Sequence, residues 1–311
     1  MKVHNSIEDF PSDIDTIVTI GTFDGVHKGH GIILDRINDL AKQHGLESLL
    51  LTFDPHPRHV IYPDDQELRL IHTLDEKIDA LRDTGLNNLV VHKFTKEFSR
   101  IKSTSFIRDI LVNKLNMRHM VVGFNHHFGK NREGTFDNLL ELSDLYDFQI
   151  EKINPQNIGE ITVSSTKIRL AILEGDFQKV NAYLSNNFSI KGKVVQGNKI
   201  GTSIGFPTAN IKMEVQHKIL PKNGVYAIKA FIDGGRYFGM LNLGNRPSIL
   251  DDSFSIEAHL FEFNRNIYDR QLKIEFIERI RDEKQFSDLE KLKSQLKVDE
   301  INCKQIFNLP R

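Results

Sequence analysis

The chain has 311 residues, a net charge of −1 and a single cysteine, Cys303. This length exceeds what one hydrophobic core usually occupies, so we expect two domains. The balanced charge gives no general attraction to nucleic acid or to a membrane surface. One cysteine cannot form an intramolecular disulfide, and no apolar run is long enough for a membrane span or a signal peptide. We therefore expect a cytoplasmic protein without nucleic-acid, membrane or obligate protein partners.

The first half of the chain alternates strand-like and helix-like segments. Continuous apolar runs predict five strands: Ile14–Gly21, Ser48–Phe53, Leu89–Phe94, Met120–Phe124 and Phe148–Ile153. Apolar residues at helical spacing predict four helices: His30–His44, Leu74–Arg82, Phe106–Leu115 and Phe136–Tyr146. We expect a capping residue for the third helix at Ser103 or Thr104. This alternation is typical of a Rossmann-like α/β fold, a parallel sheet with helices on both faces.

The pattern changes after Ser164. Two short helices are predicted at Thr166–Leu173 and Asp176–Leu184, and a glycine-punctuated region follows them. That region contains five or six short strand-like runs, and Asp233-Gly234-Gly235 has the composition of a hairpin turn. Short strands joined by tight turns predict a small antiparallel β-barrel.

Helical spacing returns at Phe286–Val298, which predicts a terminal helix. We place the domain boundary near Asn186–Asn187, where the pattern changes to short strands. The expected domains are an α/β domain at residues 1–186 and a β-barrel domain with a terminal helix at residues 187–311.

A glycine-containing stretch, GTFDGVHKGH (Gly21–His30), lies between a predicted strand and a predicted helix. Turn amides and a helix N-terminus both attract anions, so this is a suitable place for a phosphate chain. The imidazoles of His27 and His30 can bridge a triphosphate and stabilise charge that develops on an α-phosphoryl group. The alternative is a surface loop that carries two histidines, but the flanking strand and helix and the three glycines argue against it.

The same stretch resembles the HxGH signature of the nucleotidyltransferase superfamily. Its fuller form is similar to the adenylyltransferase module of bacterial bifunctional riboflavin kinase/FAD synthetases. Further matches follow in order: TFDPHP (Thr52–Pro57), VVGFNHHFGKNREG (Val121–Gly134) and VSSTKIR (Val163–Arg169). The resemblance implies that His27 and His30 are catalytic and contact the ATP phosphates. It also implies further contacts to ATP from Gly21, Phe23, Asp24, Gly29, Ser164, Ser165, Thr166 and Arg169.

For the flavin of this first site, the resemblance implies Phe53, Pro55, Asn125 and Phe128. Asn125 and His127 stand where many relatives carry an aspartate and an arginine. Asn125 can still form hydrogen bonds but cannot act as a carboxylate, and the charge of His127 depends on pH. His126 also fits a loop histidine with no direct role, and aromatic residues at strand ends also fit a hydrophobic core.

A second glycine-rich stretch, Gly192–Ile211, ends in the sequence PTAN. Phosphoryl transfer needs amides around the phosphates, a magnesium ion and a base near the attacking hydroxyl. An arch from Gly197 to Gly205 can supply amides. Thr208 and Asn210 are neutral oxygen ligands on one side of a strand, which suits Mg²⁺ that ATP also holds. The alternative for such a stretch is ordinary turn chemistry.

This half of the chain resembles the riboflavin kinase fold. The matching motifs, in order, are GFPTAN (Gly205–Asn210), LPKNGVYA (Leu220–Ala227), GMLNLGNRPS (Gly239–Ser248) and SIEAHLFEF (Ser255–Phe263). The resemblance implies that Thr208 and Asn210 bind Mg-ATP and that Glu257 takes the proton from the 5′-hydroxyl of riboflavin. The other residues that it implies are Gly197, Gly201, Gly205 and Pro207 for ATP, and Asn242, Arg246 and Arg281 for the flavin.

Some positions depart from this second pattern. Thr202 replaces a common arginine, Ser248 replaces a threonine, and Asp269 occupies a turn position often held by glycine. Without the resemblance, Glu257 reads as an ordinary solvent-facing glutamate, because it alternates with the apolar residues of its strand.

The resemblance covers nearly the whole chain and implies a bifunctional enzyme. The barrel domain would convert riboflavin and ATP to FMN, and the α/β domain would convert FMN and ATP to FAD and pyrophosphate, both with Mg²⁺. Two alternatives stay open: an enzyme with one impaired half, and a flavin- or nucleotide-binding regulator without turnover.

Overall fold

The structure is a computed structural model that describes residues 1–64, 67–124, 128–130, 134–154, 163–197, 200–213, 217–245 and 254–310. It divides into two compact units, Met1–Ser165 and Thr166–Arg311. The domain boundary predicted near Asn186–Asn187 concerns the functional halves and stays a prediction. Within the described ranges, no helix has both the length and the apolar character needed to cross a membrane.

The first unit contains a parallel sheet, as predicted, with six strands where five were predicted. Its strands are β1 (Lys2–His4), β2 (Thr16–Ile20), β3 (Glu47–Asp54), β4 (Asn88–Lys93), β5 (Met117–Gly123) and β6 (Gln149–Ile153), in the order β1-β4-β3-β2-β5-β6. The strand β1 was not predicted, because its three residues (KVH) are too few to show a period. The chain leaves β2 toward β3 and later returns on the other side of β2 with β5. Ligands of open α/β sheets bind beyond the strand ends at such a reversal.

The helices of this unit are α1 (Lys28–His44), α2 (Pro57–Ile61), α3 (Leu74–Arg82), α4 (Ser103–Ser105) and α5 (Phe136–Tyr146). The predicted helix Phe106–Leu115 is wrong in type, because Phe106–Val112 is a π-helix that continues α4. Its turns are wide enough to turn Phe106 and Leu111, five residues apart, toward the same core. The predicted cap is also wrong: Lys102 is the capping residue, and its side chain makes no capping hydrogen bond.

Both faces of the parallel sheet are covered, because successive side chains of each strand point to opposite sides. Leu49 and Leu51 pack into one core with the π-helix and α5. Leu50 packs into the other core with Leu34 and Ile37 of α1 and with α3. Burial on both faces explains why these strands appear in the sequence as continuous apolar runs rather than as alternating patterns.

The second unit is built on a closed antiparallel barrel, which confirms the predicted fold. Its strands are β7 (Ser189–Val195), β8 (Ala209–Lys212), β9 (Gly224–Ile232), β10 (Gly235–Asn245), β11 (Phe254–Leu260) and β12 (Gln271–Arg281), in the order β10-β11-β8-β7-β12-β9. Its helices are α6 (Ser165–Glu174), α7 (Phe177–Tyr183), α8 (Ile200–Ser203) and α9 (Leu289–Ile306). The predicted hairpin joins β9 to β10, and its central residues Asp233 and Gly234 have φ of 48° and 77°, as a type I′ turn requires.

The terminal helix α9 packs against the barrel. Cys303, Leu292 and Leu296 of α9 contact a cluster that includes Phe206 and Met240. The helix begins later than the predicted Phe286, because the carboxylate of Asp288 caps it by accepting a hydrogen bond from the Lys291 amide at 2.9 Å. It also ends later than the predicted Val298.

Candidate active sites

The first site is the turn between β2 and α1, at the carboxyl end of the parallel sheet. Phe23, Gly25 and Val26 have φ of 46°, 94° and 33°, so three residues of this turn adopt the left-handed region. At Gly25 an added Cβ would lie only 3.0 Å from Cδ1 of Ile71. The turn is therefore tight and held against the segment that precedes α3, and it brings the helix N-terminus to the end of β2.

His27 and His30 cap α1 reciprocally. Nδ1 of His27 accepts a hydrogen bond from the His30 amide at 3.2 Å, and Nδ1 of His30 accepts one from the His27 amide at 3.4 Å. The two rings stack with centroids 3.6 Å apart, and Phe23 stacks on the other face of His30 at 4.3 Å. An imidazole that accepts at Nδ1 carries its proton on Nε2. Each histidine therefore keeps an Nε2–H donor for another partner.

Burial keeps both imidazoles neutral near pH 7. Burial lowers the pKa of His27 to about 4, against its ordinary value of 6.5. Burial also lowers the pKa of His30 well below that value, and the neighbouring His27, Lys77 and His72 lower it further. At neutral pH the pair offers hydrogen-bond donors at a helix N-terminus without adding two full charges.

Two predicted phosphate segments meet at Asp24. Its carboxylate is buried and accepts hydrogen bonds from the backbone amides of Ile71 and His72 at 3.0 Å. Its carbonyl accepts a hydrogen bond from the Ser165 hydroxyl at 2.8 Å. A hydrogen bond thus joins Gly21–His30 to Ser165 of the SST motif, and the Asp24 carboxylate is directed at the backbone of Ile71 and His72.

Lys77 is a buried cation beneath this turn that was not predicted from the sequence. Its Nζ donates to the Thr52 hydroxyl at 3.4 Å, and that hydroxyl donates to the Thr22 carbonyl at 3.2 Å. Burial lowers the pKa of Lys77, while the charges of Asp24 and Asp54 oppose that shift. A signal was present in the sequence, because Lys77 shares one helix stripe with the buried residues Ala80 and Leu81.

The residues predicted to hold the flavin of the first site are only partly described. Phe53 is buried at the end of β3 and packs edge-on against Phe94, and Pro55 follows a cis peptide bond. Phe128 is buried and packs near Phe106, with ring centroids 6.1 Å apart. Asn125, His126 and His127 lie outside the described residues.

The second site lies where β8 pairs with β11. Glu257 is the register partner of Asn210, and Ala258 is the partner of Ala209. Cross-strand partners lie on the same side of a sheet, so the carboxylate and the amide share one side while Ala258 is buried on the other. Thr208 precedes β8 with the same alternation as Asn210, so its hydroxyl belongs to this side too.

Two glycines of the predicted arch lie against these residues. A Cβ on Gly197 would be 2.1 Å from the Asn210 side-chain amide, and a Cβ on Gly201 would be 2.2 Å from the Phe206 carbonyl oxygen. Only glycine therefore fits at Gly201, where the contact is with backbone, and a side chain at position 197 would displace the Asn210 side chain. Gly205 has φ of 88° and turns the chain into Phe206 and Pro207.

A cavity of about 290 Å³ opens beside this strand pair. Of the predicted residues, it is lined by Gly201, Thr208, Asn242, Glu257 and Arg281. Apolar side chains such as Met240 and Phe206 form much of its remaining wall. Arg246 and Ser248 lie outside the described residues.

The guanidinium of Arg281 also anchors the cavity to α9. It donates to both carboxylate oxygens of the fully buried Asp299, at 2.7 Å for the closest contact. Gln295 donates to the same carboxylate at 2.9 Å. The predicted flavin contact of Arg281 therefore starts from a side chain whose direction is already fixed by a buried ion pair.

Comparison with known proteins finds a family match for each half of the chain. A family model described as FAD synthetase matches residues 9–167, and one described as riboflavin kinase matches residues 184–307. The bifunctional riboflavin kinase/FMN adenylyltransferase of Listeria monocytogenes is 34% identical over 297 residues, which is 95% of this chain and 94% of that protein. The protein of the same description from Bacillus subtilis is 35% identical over 298 residues, with 94% and 93% covered.

The fold has a solved relative as well. A crystal structure titled as a macrolide-efflux protein from Streptococcus pneumoniae superposes with a TM-score of 0.87 at 28% identity, over 97% of this chain and 98% of that one. The family models together span both units, and the relatives match along nearly their full length. The chain therefore belongs to the family of bifunctional riboflavin kinase/FMN adenylyltransferases.

Proposed function

We propose that this chain makes FAD from riboflavin in two steps at two separate sites. The barrel phosphorylates riboflavin with ATP and yields FMN and ADP. The α/β unit transfers the adenylyl group of a second ATP to FMN and yields FAD and pyrophosphate. The observation that carries the proposal is the presence, in one chain of this family, of a neutral histidine pair at a helix N-terminus and of Glu257 opposite Asn210.

In the adenylyl transfer, a phosphate oxygen of FMN attacks the α-phosphorus of ATP, and the bond to the bridging oxygen breaks as pyrophosphate leaves. The attacking oxygen is already anionic, so the step needs no general base. The Nε2–H groups of His27 and His30 donate to phosphate oxygens, and the amides at the start of α1 add positive potential. Because these donors are fixed by the capping hydrogen bonds, they need no reorganisation as charge develops.

The remaining contacts of the first site are proposed from the motif matches. Gly21, Phe23, Asp24 and Gly29 form or support the turn, and Ser164, Ser165, Thr166 and Arg169 bind the triphosphate. The hydrogen bond from the Ser165 hydroxyl to the Asp24 carbonyl supports the placement of this segment beside the turn. The proposed FMN contacts are Phe53, Pro55, Asn125 and Phe128.

In the phosphoryl transfer, the 5′-oxygen of riboflavin attacks the γ-phosphorus of ATP. The Glu257 carboxylate accepts the proton of that 5′-hydroxyl. The bond to the β-bridging oxygen breaks and ADP leaves. The position of Glu257 beside the cavity supports this role. Amides near Gly197, Gly201, Gly205 and Pro207 surround the phosphates, and Asn242, Arg246 and Arg281 hold the flavin.

The donors of the second site fit a magnesium ion that arrives with ATP. Thr208 and Asn210 offer neutral oxygens on one side of the strand, which suits a hard cation whose charge is balanced by phosphate. The absence of a Cβ at Gly197 lets the Asn210 side chain lie against the backbone there. When bound, Mg²⁺ would neutralise charge on the phosphate oxygens. We propose Mg²⁺ for the first site as well, because a triphosphate also reacts there.

The two halves are proposed as residues 1–186 and residues 187–311. The proposed location is the cytoplasm, and we propose no obligate protein partner, since the residues of both sites belong to this one chain.

ATP labelled at one phosphate tests the proposal. Wild-type chain is incubated with riboflavin and ATP radiolabelled at the γ- or the α-phosphate, and the flavins are separated by chromatography. The γ-label should enter FMN and then FAD, whereas the α-label should enter FAD only. If labelled FMN forms but never becomes FAD, the chain is a kinase alone. If flavin binds but no labelled product forms, the chain is a regulator without turnover.

A further inference from the structure

The segment Phe206–Pro207 leads into β8 at the second site. It directly precedes Thr208, and the ladder between β8 and β11 is formed by Ala209 and Asn210. Proline has no N–H and cannot extend that ladder with a donor. The Pro207 carbonyl, in contrast, can accept a hydrogen bond, and another group of the barrel supplies one.

That group is His259. Its Nδ1 lies 2.8 Å from the Pro207 carbonyl oxygen, which can only accept a hydrogen bond, so Nδ1 carries the proton and donates it. The imidazole also packs edge-on against Phe206, with ring centroids 5.3 Å apart. Phe206 itself is buried, and its amide donates to the Gly201 carbonyl at 2.8 Å. The segment is thus held between the glycine arch and the His259 ring.

Glu257 and His259 are two residues apart on β11, so their side chains lie on the same side of the strand. Because Glu257 is opposite Asn210, continuing the register places His259 opposite Thr208. Both residues line the cavity with Thr208. On this side of β11, the proposed base Glu257 therefore faces Asn210, and His259 faces Thr208.

We propose that His259 is a positioning residue of the riboflavin kinase site, whose hydrogen bond to the Pro207 carbonyl sets the direction of the Thr208 and Asn210 side chains. The inference rests on the proposed function of that site. His259 acts through the backbone and not by contact with the reacting atoms. Its loss should therefore weaken the binding of magnesium nucleotide more than the binding of riboflavin.

Three substitutions of His259 separate positioning from general packing. H259N keeps an N–H donor at the distance of Nδ1 from Cβ, H259Q moves the donor farther out, and H259A removes it. A net hydrogen bond is worth about 1 kcal/mol, which corresponds to roughly a fivefold to tenfold change in affinity. We expect H259A and H259Q to raise the KM for MgATP in FMN formation by about that factor, while H259N stays near the wild type.

Calorimetry on the full chain supplies a second readout. Titration with MgADP should show a binding event that the control variant T208A abolishes. We expect H259A to weaken this event by about the same factor as it raises KM, while the affinity for riboflavin is unchanged. FAD formation from supplied FMN is the internal control for folding of the other unit, and no His259 variant should alter it.

The proposal is overturned if H259N is as impaired as H259A, or if H259A lowers riboflavin affinity and MgADP affinity together. It is also overturned if H259A leaves both KM and MgADP binding at wild-type values. If H259A does not fold, the comparison of H259N with H259Q decides the question. Failure of the proposed function looks different, because the wild-type chain would then form no FMN from riboflavin.

Discussion

Glu257 lies directly opposite Asn210 in the antiparallel pair of β11 and β8. The pairing brings together two motifs that are far apart in the sequence, SIEAHLFEF and GFPTAN. It also fixes the separation of the two side chains by the geometry of the sheet rather than by a loop. The proposed base and the proposed cation ligand are therefore positioned before any substrate binds.

The first prediction concerns the carboxylate of Glu257. Glu257→Gln keeps the size of the side chain but removes the base, so FMN formation should fall by about 100-fold or more, mainly in kcat. Steady-state kinetics with riboflavin and MgATP measure this. Glu262→Gln, which changes an exposed glutamate just beyond the same strand, is the matched control and should behave as wild type. An E257Q chain with near wild-type kcat would remove Glu257 from the reaction.

The second prediction is a pH dependence of stability in the α/β unit. The folded-state pKa of His27 is about 4, below its ordinary value of 6.5. Between pH 6.5 and pH 4, the unfolded chain therefore binds more protons at this residue than the folded chain does. The free energy of unfolding should therefore be highest above pH 6.5 and decrease by about 2 kcal/mol between pH 7 and pH 5 from this group.

Denaturant unfolding at the two pH values measures this loss. His27→Asn is the informative variant, because asparagine caps a helix well but does not titrate. It should flatten the pH dependence without a large loss of stability at pH 7. A slope that is unchanged in H27N would contradict the neutral, capped state of His27.

The third prediction concerns the buried ion pair between Arg281 and Asp299. Asp299→Asn leaves the guanidinium without its charged partner, so we expect a loss of about 3–5 kcal/mol in the free energy of unfolding of the barrel. The double variant Arg281→Met with Asp299→Leu should recover much of this loss, because it removes both charges. Equal stability of D299N and wild type in chemical denaturation would show that the pair contributes little.

The fourth prediction concerns His119 on β5. It is buried, and neither ring nitrogen has a hydrogen-bond partner among the described residues. Burial lowers the pKa of His119, so its protonation below pH 6.5 also opposes folding. His119→Leu should raise the free energy of unfolding by about 1–2 kcal/mol. His119→Gln, which keeps a buried polar group, should not, and thermal unfolding of the two variants compares them.

Much of the fold follows from periodicity. The five long strands of the first unit carry continuous apolar runs, and Asp233-Gly234 has the residues of a type I′ turn, so both were predictable. The strand β1 could not be predicted, because its pairing with β4 is set by tertiary contact. The π-helix at Phe106–Val112 could not be predicted either, since its apolar residues fit an α-helix equally well.

The chemistry of the sites was less predictable than their location. The sequence showed that His27 and His30 flank a glycine before a helix, but not that each accepts from the other's amide and so keeps its proton on Nε2. That outcome depends on two backbone hydrogen bonds. Lys77 reaches the same turn through Thr52, from a helix that follows later in the chain, and no local pattern specifies that contact.

The central claim is that one chain carries two independent active sites. Chromatographic measurement of FMN and FAD from riboflavin and ATP, with the folded variants His30→Ala and Glu257→Gln, tests it most directly. H30A should accumulate FMN and form no FAD, because only the adenylyl-transfer site is lost. E257Q should form little FMN but convert supplied FMN to FAD at the wild-type rate. Loss of both activities in each folded variant would contradict the account.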